Sequence, residues 1–354
     1  MQFSDQVLHW FDINGRKNLP WQKNRNAYRI WVSEIMLQQT QVATVIPYFQ
    51  RFTTRFPKIQ DLAAASQEQV LQLWAGLGYY ARGRNLHKCA GVVVDQYQGK
   101  FPKTVEELEE LPGIGRSTAA AIVSLAYDKK ATIMDGNVKR VLARYFAIDA
   151  WPGQSVIAKR LWQLAEELTP DKRNADYTQA MMDLGAMLCK RSKPQCEQCP
   201  VRGKCIAYRK ATPEAYPGKK PRLEKPVKAA QFLILQNFQG EILLEKRPPS
   251  GIWGGMWGLP LLEVSQNAKK HIQNTIGEVD GFEEWTKFRH TFSHYHLDIQ
   301  PVHLRILKTN PERAEKNQSW FPIESWSQLG VPAPVKKILE ALAKAERGGN
   351  VPSC

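Results

Sequence analysis

Four cysteines, Cys189, Cys196, Cys199 and Cys205, fall within 17 residues, while Cys89 and Cys354 stand alone. Four thiolates that close together bind either zinc or an iron–sulfur cluster. Structural zinc sites usually pair two short knuckles. Here one Cys-x2-Cys knuckle is flanked by gaps of six and five residues, a spacing that favours one [4Fe–4S] cluster over zinc. A secreted disulfide framework would spread its cysteines along the chain, so the clustering points to a reducing compartment. Lys190, Arg191, Lys193, Arg202 and Lys204 lie in and beside the same loops. A metal-pinned loop rimmed by cations suits contact with phosphates, and a plainly solvated basic rim reads the same way.

Leu111-Pro112-Gly113-Ile114-Gly115 joins one helical stretch to the next, which starts at Arg116. Gly113 and Gly115 permit a tight turn whose backbone N–H groups, at the start of the second helix, can reach a phosphate oxygen. An ordinary helix–helix turn has the same residues. Asp135 lies 20 residues further on, ahead of a helix beginning near Asn137, where a lone aspartate is otherwise an N-cap. On the helix starting near Ala27, Glu34, Gln38 and Gln41 fall at i, i+4 and i+7, a polar stripe bordering an apolar face. A carboxyl at such an edge is partly desolvated, which favours its protonated form and suits a general acid.

With hairpin, aspartate and cysteines in this order, the chain resembles the helix–hairpin–helix DNA glycosylases that carry an iron–sulfur cluster, endonuclease III among them, and within these the adenine DNA glycosylase (MutY) family. The resemblance runs through Leu19-Pro20-Trp21, Ser33–Thr40, Gly76-Leu77-Gly78-Tyr79-Tyr80, Leu111–Thr118, Met134–Arg140, the four cysteines and Phe292-Ser293-His294, essentially the whole chain. It implies excision of adenine mispaired with 8-oxoguanine or guanine in double-stranded DNA, leaving an abasic site. The residue matching Glu34 protonates adenine at N7, and the one matching Asp135 stabilises the oxocarbenium-like sugar, as paired carboxylates do in glycoside hydrolysis. Gln39 and Tyr79 match residues that wedge into the duplex near the mispair, while Trp21, Leu37 and Val42 match walls of the base pocket. Asn137 falls in the same substrate-binding stretch. Gly113, Gly115 and Lys139 are expected against the DNA backbone, and the four cysteines as ligands of one [4Fe–4S] cluster.

Position 117 separates two kinds of glycosylase. Those that also cleave the strand carry a lysine amine two residues after the last hairpin glycine, for Schiff-base attack on the sugar. Here Gly115-Arg116-Ser117 places a hydroxyl there, which forms no imine, so Ser117 joins the substrate-binding set and base removal without strand cleavage is expected. The alternatives are an endonuclease III-like glycosylase with lyase activity, using Lys139 as a substitute amine, and a non-catalytic iron–sulfur DNA-binding protein. The latter would not need Glu34 and Asp135 together.

The elements that must position these residues are legible in part. From Trp10 to about Arg209 the periodicity is helical, with Trp31, Ile35, Val42, Val45 and Phe49 recurring as one helix face requires. This predicts an all-α region over 1–215: a six-helix part with the hairpin 111–115, and a cluster part built from the N-terminus and about 130–210. Residues 216–228 hold three prolines and five basic residues and read as a linker. Beyond it, Gln231–Leu235 and Glu241–Lys246 read as a hairpin, His294–Ile299 and Val302–Ile306 as further strands, and Val335–Ala345 as a closing helix. This is a smaller α+β domain over 229–354. Arg247–Pro260 resembles the entry to a Nudix-type domain, but the acid-rich helix that binds catalytic metal in Nudix hydrolases is replaced by Leu261–Asn267, with one acid. A binding role follows, with Ser293 and His294 matching the loop that recognises 8-oxoguanine.

Composition agrees. At 354 residues the chain exceeds one core. Lys plus Arg number 49 against 34 Asp plus Glu, a net charge of +15 that attracts polyanions. No apolar run approaches the length of a membrane span, and the first residues carry no signal-peptide pattern. The expectation is a cytoplasmic monomer associated with DNA, open to other repair or replication proteins.

Overall fold

The computed structural model describes residues 1–221, 224–309 and 317–347. Arg222 and Leu223 of the expected linker, and Cys354, lie outside the described residues. The chain forms two compact units, residues 1–64 with 85–222 and residues 65–84 with 223–354.

The first unit is helical throughout its described residues. Helix Ala27–Leu37 starts at Asn26, whose side chain accepts from Arg29 N, and buries Ile30, Trp31, Ile35 and Met36. It packs against helix Arg116–Tyr127, where Ala119, Ala120 and Ala121 are buried and small enough to let the backbones approach. Around this pair Phe49, Phe52, Phe56, Leu62 and Leu108 are fully buried.

The single face read from Trp31 to Phe49 is two helices, Ala27–Leu37 and Val42–Arg55. Gln39 sits at φ 58° and breaks the run. Gln38 and Gln41 are the cap positions on either side of the break, so they do not continue a stripe with Glu34. The cause is local: Gln38, Gln39 and Thr40 offer no apolar side chain to bury, and Gln38 Nε2 instead donates to Thr118 Oγ1 at 3.3 Å. Trp31, Ile35, Val45 and Phe49 stay buried because the two helix faces still point into one core.

The second unit is built on a mixed sheet of β1 (Val227–Asn237), β2 (Glu241–Lys246), β3 (Trp257–Gly258), β4 (Leu261–Leu262), β5 (Gly277–Glu284), β6 (Phe288–Thr291), β7 (His296–Thr309) and β8 (Gln318–Pro322). Its order is β3-β2-β1-β7-β5, with β4 on β1, β6 on β7 and β8 on β2. β1 and β7 run parallel from Val227 opposite His296 to Asn237 opposite Ile306, and their middles are continuously apolar, Phe232–Leu235 being buried, as a covered parallel pair requires. The two strands expected over 294–306 are one, passing through Pro301. Lacking an N–H, Pro301 falls where the neighbour changes from β5, ending opposite Val302, to β6, starting opposite Ile299. Helices Ala268–Thr275 and Ala333–Glu346 accompany the sheet. The first reads AKKHIQNT and carries no carboxylate.

Candidate active site

Asp135 is the N-cap of helix Gly136–Tyr145. Its Oδ1 accepts from the N–H groups of Asn137 at 3.0 Å and Val138 at 2.8 Å, and its Oδ2 from Asn137 Nδ2 at 2.9 Å. Glu34, near the end of helix Ala27–Leu37, feels the Asp135 charge. Burial pushes the Glu34 carboxyl up, the Asp135 charge adds to it, and together they raise it to about 8. Burial raises Asp135 as well and leaves it above its ordinary value, although the three donors and the Arg140 guanidinium oppose the shift. Both causes on Glu34 act in one direction, so Glu34 is the member of the pair that keeps its proton at neutral pH. A protonated acid beside a hydrogen-bonded carboxylate is the division of roles a glycosidic bond needs.

The hairpin is tied to this pair. Gly113 adopts φ 79°, and a Cβ there would lie 2.7 Å from Asn85 Cβ, so the turn accepts only glycine without movement. Gly113 and Gly115 are exposed, leaving the start of helix Arg116–Tyr127 bare to solvent. Ser117, the second residue of that helix, accepts from Met134 N at 3.0 Å and so holds the stretch of chain leading into Asp135. Position 117 thus presents a hydroxyl already engaged with the backbone. Lys139 lies on helix Gly136–Tyr145, its N–H bonded to Asp135 O.

The four cysteines line one cavity together with Val141, Arg144, Tyr145, Leu184, Leu188 and Val201. Among the described residues no three His, Cys, Asp or Glu side chains close on a single ion; the thiols are spread around a wall. Backbone N–H groups of Val201 and of Ala207 and Tyr208 point at Cys199 and Cys205. Lys190, Arg191, Lys193, Arg202 and Lys204 are all exposed, with Arg202 paired to Glu197 at 3.0 Å.

Two arginines that the sequence reading passed over connect this cavity to the carboxylates. Arg140 donates from Nη2 to Asn137 Oδ1 at 2.8 Å and to Gly185 O at 2.7 Å, and from Nε to Cys189 O at 2.6 Å. Arg144 is buried. It donates to Tyr216 O, to Lys190 O at 2.6 Å, to Arg191 O at 3.0 Å and to Cys189 Sγ at 3.3 Å. The usable signal was their i, i+4 spacing on the helix after Asp135, which puts both on one face.

The remaining expected residues are dispersed. Trp21 is 2% exposed, its ring edge-on to Phe49 at 5.5 Å. Leu37 and Val42 are half-buried on either side of the helix break, and Gln39 is exposed at that break. In the second unit Tyr79 is exposed at φ 49°, under the Arg82 guanidinium at 5.5 Å. Ser293 and His294 form an exposed turn with Oγ and Nδ1 3.2 Å apart.

Residues 32–167 match the family described as HhH-GPD superfamily base excision DNA repair protein, and residues 231–341 match the NUDIX domain. The adenine DNA glycosylase of Buchnera aphidicola subsp. Schizaphis graminum is 39% identical over 341 residues, covering 96% of this chain and 98% of that protein. The chain belongs to the adenine DNA glycosylase family. Adenine DNA glycosylases of mammals are similar over nearly all of it: that of Mus musculus is 34% identical, covering 98% of this chain and 79% of that protein. Among solved structures, a thermostable thymine-DNA glycosylase is similar with 31% identity and a TM-score of 0.54, over 59% of this chain and 95% of that one. A non-covalent endonuclease III–DNA complex follows with 26% identity and a TM-score of 0.51, over 59% and 94%. The helical architecture is therefore the one adenine DNA glycosylases share with other DNA base excision enzymes.

Proposed function

We propose that this chain hydrolyses the N-glycosyl bond of adenine paired with 8-oxoguanine or guanine in double-stranded DNA, leaving an abasic site. The observation that carries the chemistry is the carboxyl pair: Glu34 raised to about 8 beside Asp135, held by three donors. With the base turned out of the stack, Glu34 gives its proton to adenine N7 and the bond from C1′ to N9 breaks. The electron pair leaves with the base. The positive charge developing on the sugar faces the Asp135 carboxylate, and water adds to C1′, returning a proton to Glu34. Gly113, Gly115, Lys139 and the exposed cations of the cysteine loops supply the backbone contacts, and Trp21, Leu37, Val42, Gln39, Asn137 and Tyr79 the surroundings of the base and the opened stack. The Nudix-like unit, with a single acid over Leu261–Asn267 and none on helix Ala268–Thr275, binds and does not hydrolyse; its Ser293–His294 turn reads 8-oxoguanine.

Cys189, Cys196, Cys199 and Cys205 would hold a [4Fe–4S] cluster, because four thiols around one apolar cavity with backbone donors aimed at sulfur match the donor set of such a group. The cluster's contribution is structural, pinning the basic loops. Arg144 and Arg140 fasten those loops to the helix that Asp135 caps. Purified protein is expected to contain about four irons per chain and to absorb broadly near about 400 nm. About one zinc and no iron would overturn that assignment.

The test of the activity is single-turnover release of adenine from a duplex with one A·8-oxoguanine pair. Adenine should be released and strand breaks should follow only after alkali. Nicking at neutral pH at the rate of base loss would show that Lys139 or another amine acts as a lyase nucleophile. Ser293→Ala with His294→Ala should leave excision from A·G nearly intact and reduce the advantage of A·8-oxoguanine by about tenfold or more, the loss of one or two charge-assisted or neutral hydrogen bonds. An undiminished advantage would remove the turn from recognition.

A further inference from the structure

The Ser293–His294 turn has a built support. Phe292 stacks on Tyr295 with centroids 4.5 Å apart, and Lys225 Nζ donates to Phe292 O at 2.8 Å. Behind them Trp253 packs 5.3 Å from Phe292 and 5.9 Å from His290. Trp253 is buried and held at φ 57° in the loop from Arg247 to Met256, between β2 and β3.

That loop is gripped by residues from far earlier in the chain that belong to the same compact unit. Glu68 accepts from Lys246 Nζ at 2.7 Å on one carboxylate oxygen and from Trp257 Nε1 at 2.6 Å on the other, which fixes both ends of the loop at once. The Lys246 ammonium also lies over the Trp257 ring at 5.4 Å. Arg84 donates to Gly254 O at 3.0 Å and to Gly251 O at 3.4 Å, holding the loop's middle. Burial acts to raise the Glu68 carboxyl, but its two donors outweigh it and leave it below the ordinary value, so it is ionised at neutral pH. The segment carrying Glu68 and Arg84 also carries Tyr79. Trp74 Nε1 donates to Gly78 O at 3.2 Å, and the Arg82 guanidinium lies 5.5 Å from the rings of both Trp74 and Tyr79.

We propose that Glu68 is a positioning residue for recognition of the base opposite the adenine: it locks the loop that backs the Ser293–His294 turn onto the segment that carries Tyr79, so that turn and tyrosine meet the DNA as one rigid element. This rests on the assignment of 8-oxoguanine reading to that turn. A pair between half-exposed groups adds little stability by itself. Its value is geometric, since two bonds on one carboxylate define where the loop sits. Glu68 touches neither DNA nor adenine, so its loss should alter discrimination and leave the chemical step alone.

The experiment compares full-length wild type, Glu68→Gln, Lys246→Met and the double variant in single-turnover excision from A·8-oxoguanine and A·G duplexes, with Ser293→Ala/His294→Ala in parallel. Each single variant should lower the ratio of the two rates by about three- to tenfold, with the A·G rate within about twofold of wild type, and the double variant should be no worse than the singles because one interaction is removed twice. Lys246→Met serves if Glu68→Gln folds poorly. Equal loss on both duplexes, or additive losses in the double variant, would mean a merely structural role and overturn the proposal. An unchanged ratio in Glu68→Gln and Lys246→Met, with a reduced ratio in the turn variant, would overturn it and leave the recognition reading standing. A turn variant that keeps the full ratio would bring down both.

Discussion

Glu34→Gln is expected to reduce adenine excision by about 10²–10⁴-fold or more while mispaired DNA still binds. Glutamine preserves the size and hydrogen-bonding atoms of the side chain but has no proton to deliver to N7. The raised carboxyl makes the same point through pH. Wild-type excision should hold level through neutrality and fall about tenfold per unit once Glu34 ionises above about 8, a limb the glutamine variant lacks. Stability supplies an independent reading. The folded chain keeps the Glu34 proton up to about 8, whereas the unfolded chain releases it near the ordinary 4.5. The folded state therefore binds more protons between those values, and stability falls as pH rises through that window, then levels. Glutamine removes the penalty. Denaturant unfolding at pH 7 should show Glu34→Gln more stable by on the order of 1–3 kcal/mol, a gain that shrinks toward about pH 4. A variant that retained excision, or that had the wild-type dependence of stability on pH, would remove Glu34 from the role of acid.

Asp135→Asn should cost about 10²-fold or more in excision through loss of charge alone. Asparagine is as good an N-cap as aspartate, and its side-chain oxygen can still accept from the N–H groups of Asn137 and Val138, so the helix start should survive. Only the bond from Asn137 Nδ2 and the charge are lost. Thermal unfolding within about 1 kcal/mol of wild type, alongside the lost activity, is the expected signature. A second consequence follows from the pairing. The Asp135 charge is the lesser of the two causes that raise Glu34, burial being the larger. Residual activity in Asp135→Asn should therefore begin its alkaline fall at a lower pH than wild type, though still above the ordinary carboxylate range. Equal activity in the two proteins would show that the developing cation is stabilised elsewhere.

Much of this molecule could be read before any coordinates. The cysteine spacing, the glycine hairpin and Asp135 are local patterns: a knuckle, a turn and a cap each declare themselves within a few residues, because the forces that form them act over one helical turn. That Leu261–Asn267 carries a single acid where Nudix hydrolases have an acid-rich stretch was equally legible, since a missing residue type needs no geometry. The amphipathic periodicity marked the helical half but joined Ala27–Leu37 to Val42–Arg55, because a hydrophobic period persists across a break when both faces point into the same core.

What tertiary structure decided were the pairings. That Glu34 carries a raised carboxyl depends on how much protein covers it and on a charge contributed by a residue about a hundred positions away, and no window of sequence contains either quantity. Arg140 and Arg144 read as ordinary cations until the chain places carbonyls from 185 to 216 around them, making them the fastening between the cysteine loops and the Asp135 helix. Residues 65–84 look like one more stretch of the helical half, yet they fold into the unit of the sheet, because Glu68 and Arg84 find their partners on the loop from Lys246 to Trp257. Residue types and their local order set which chemistry was available; long-range burial and partner choice set which residues perform it. Desolvation and hydrogen-bond geometry depend on three-dimensional neighbours that sequence distance does not encode.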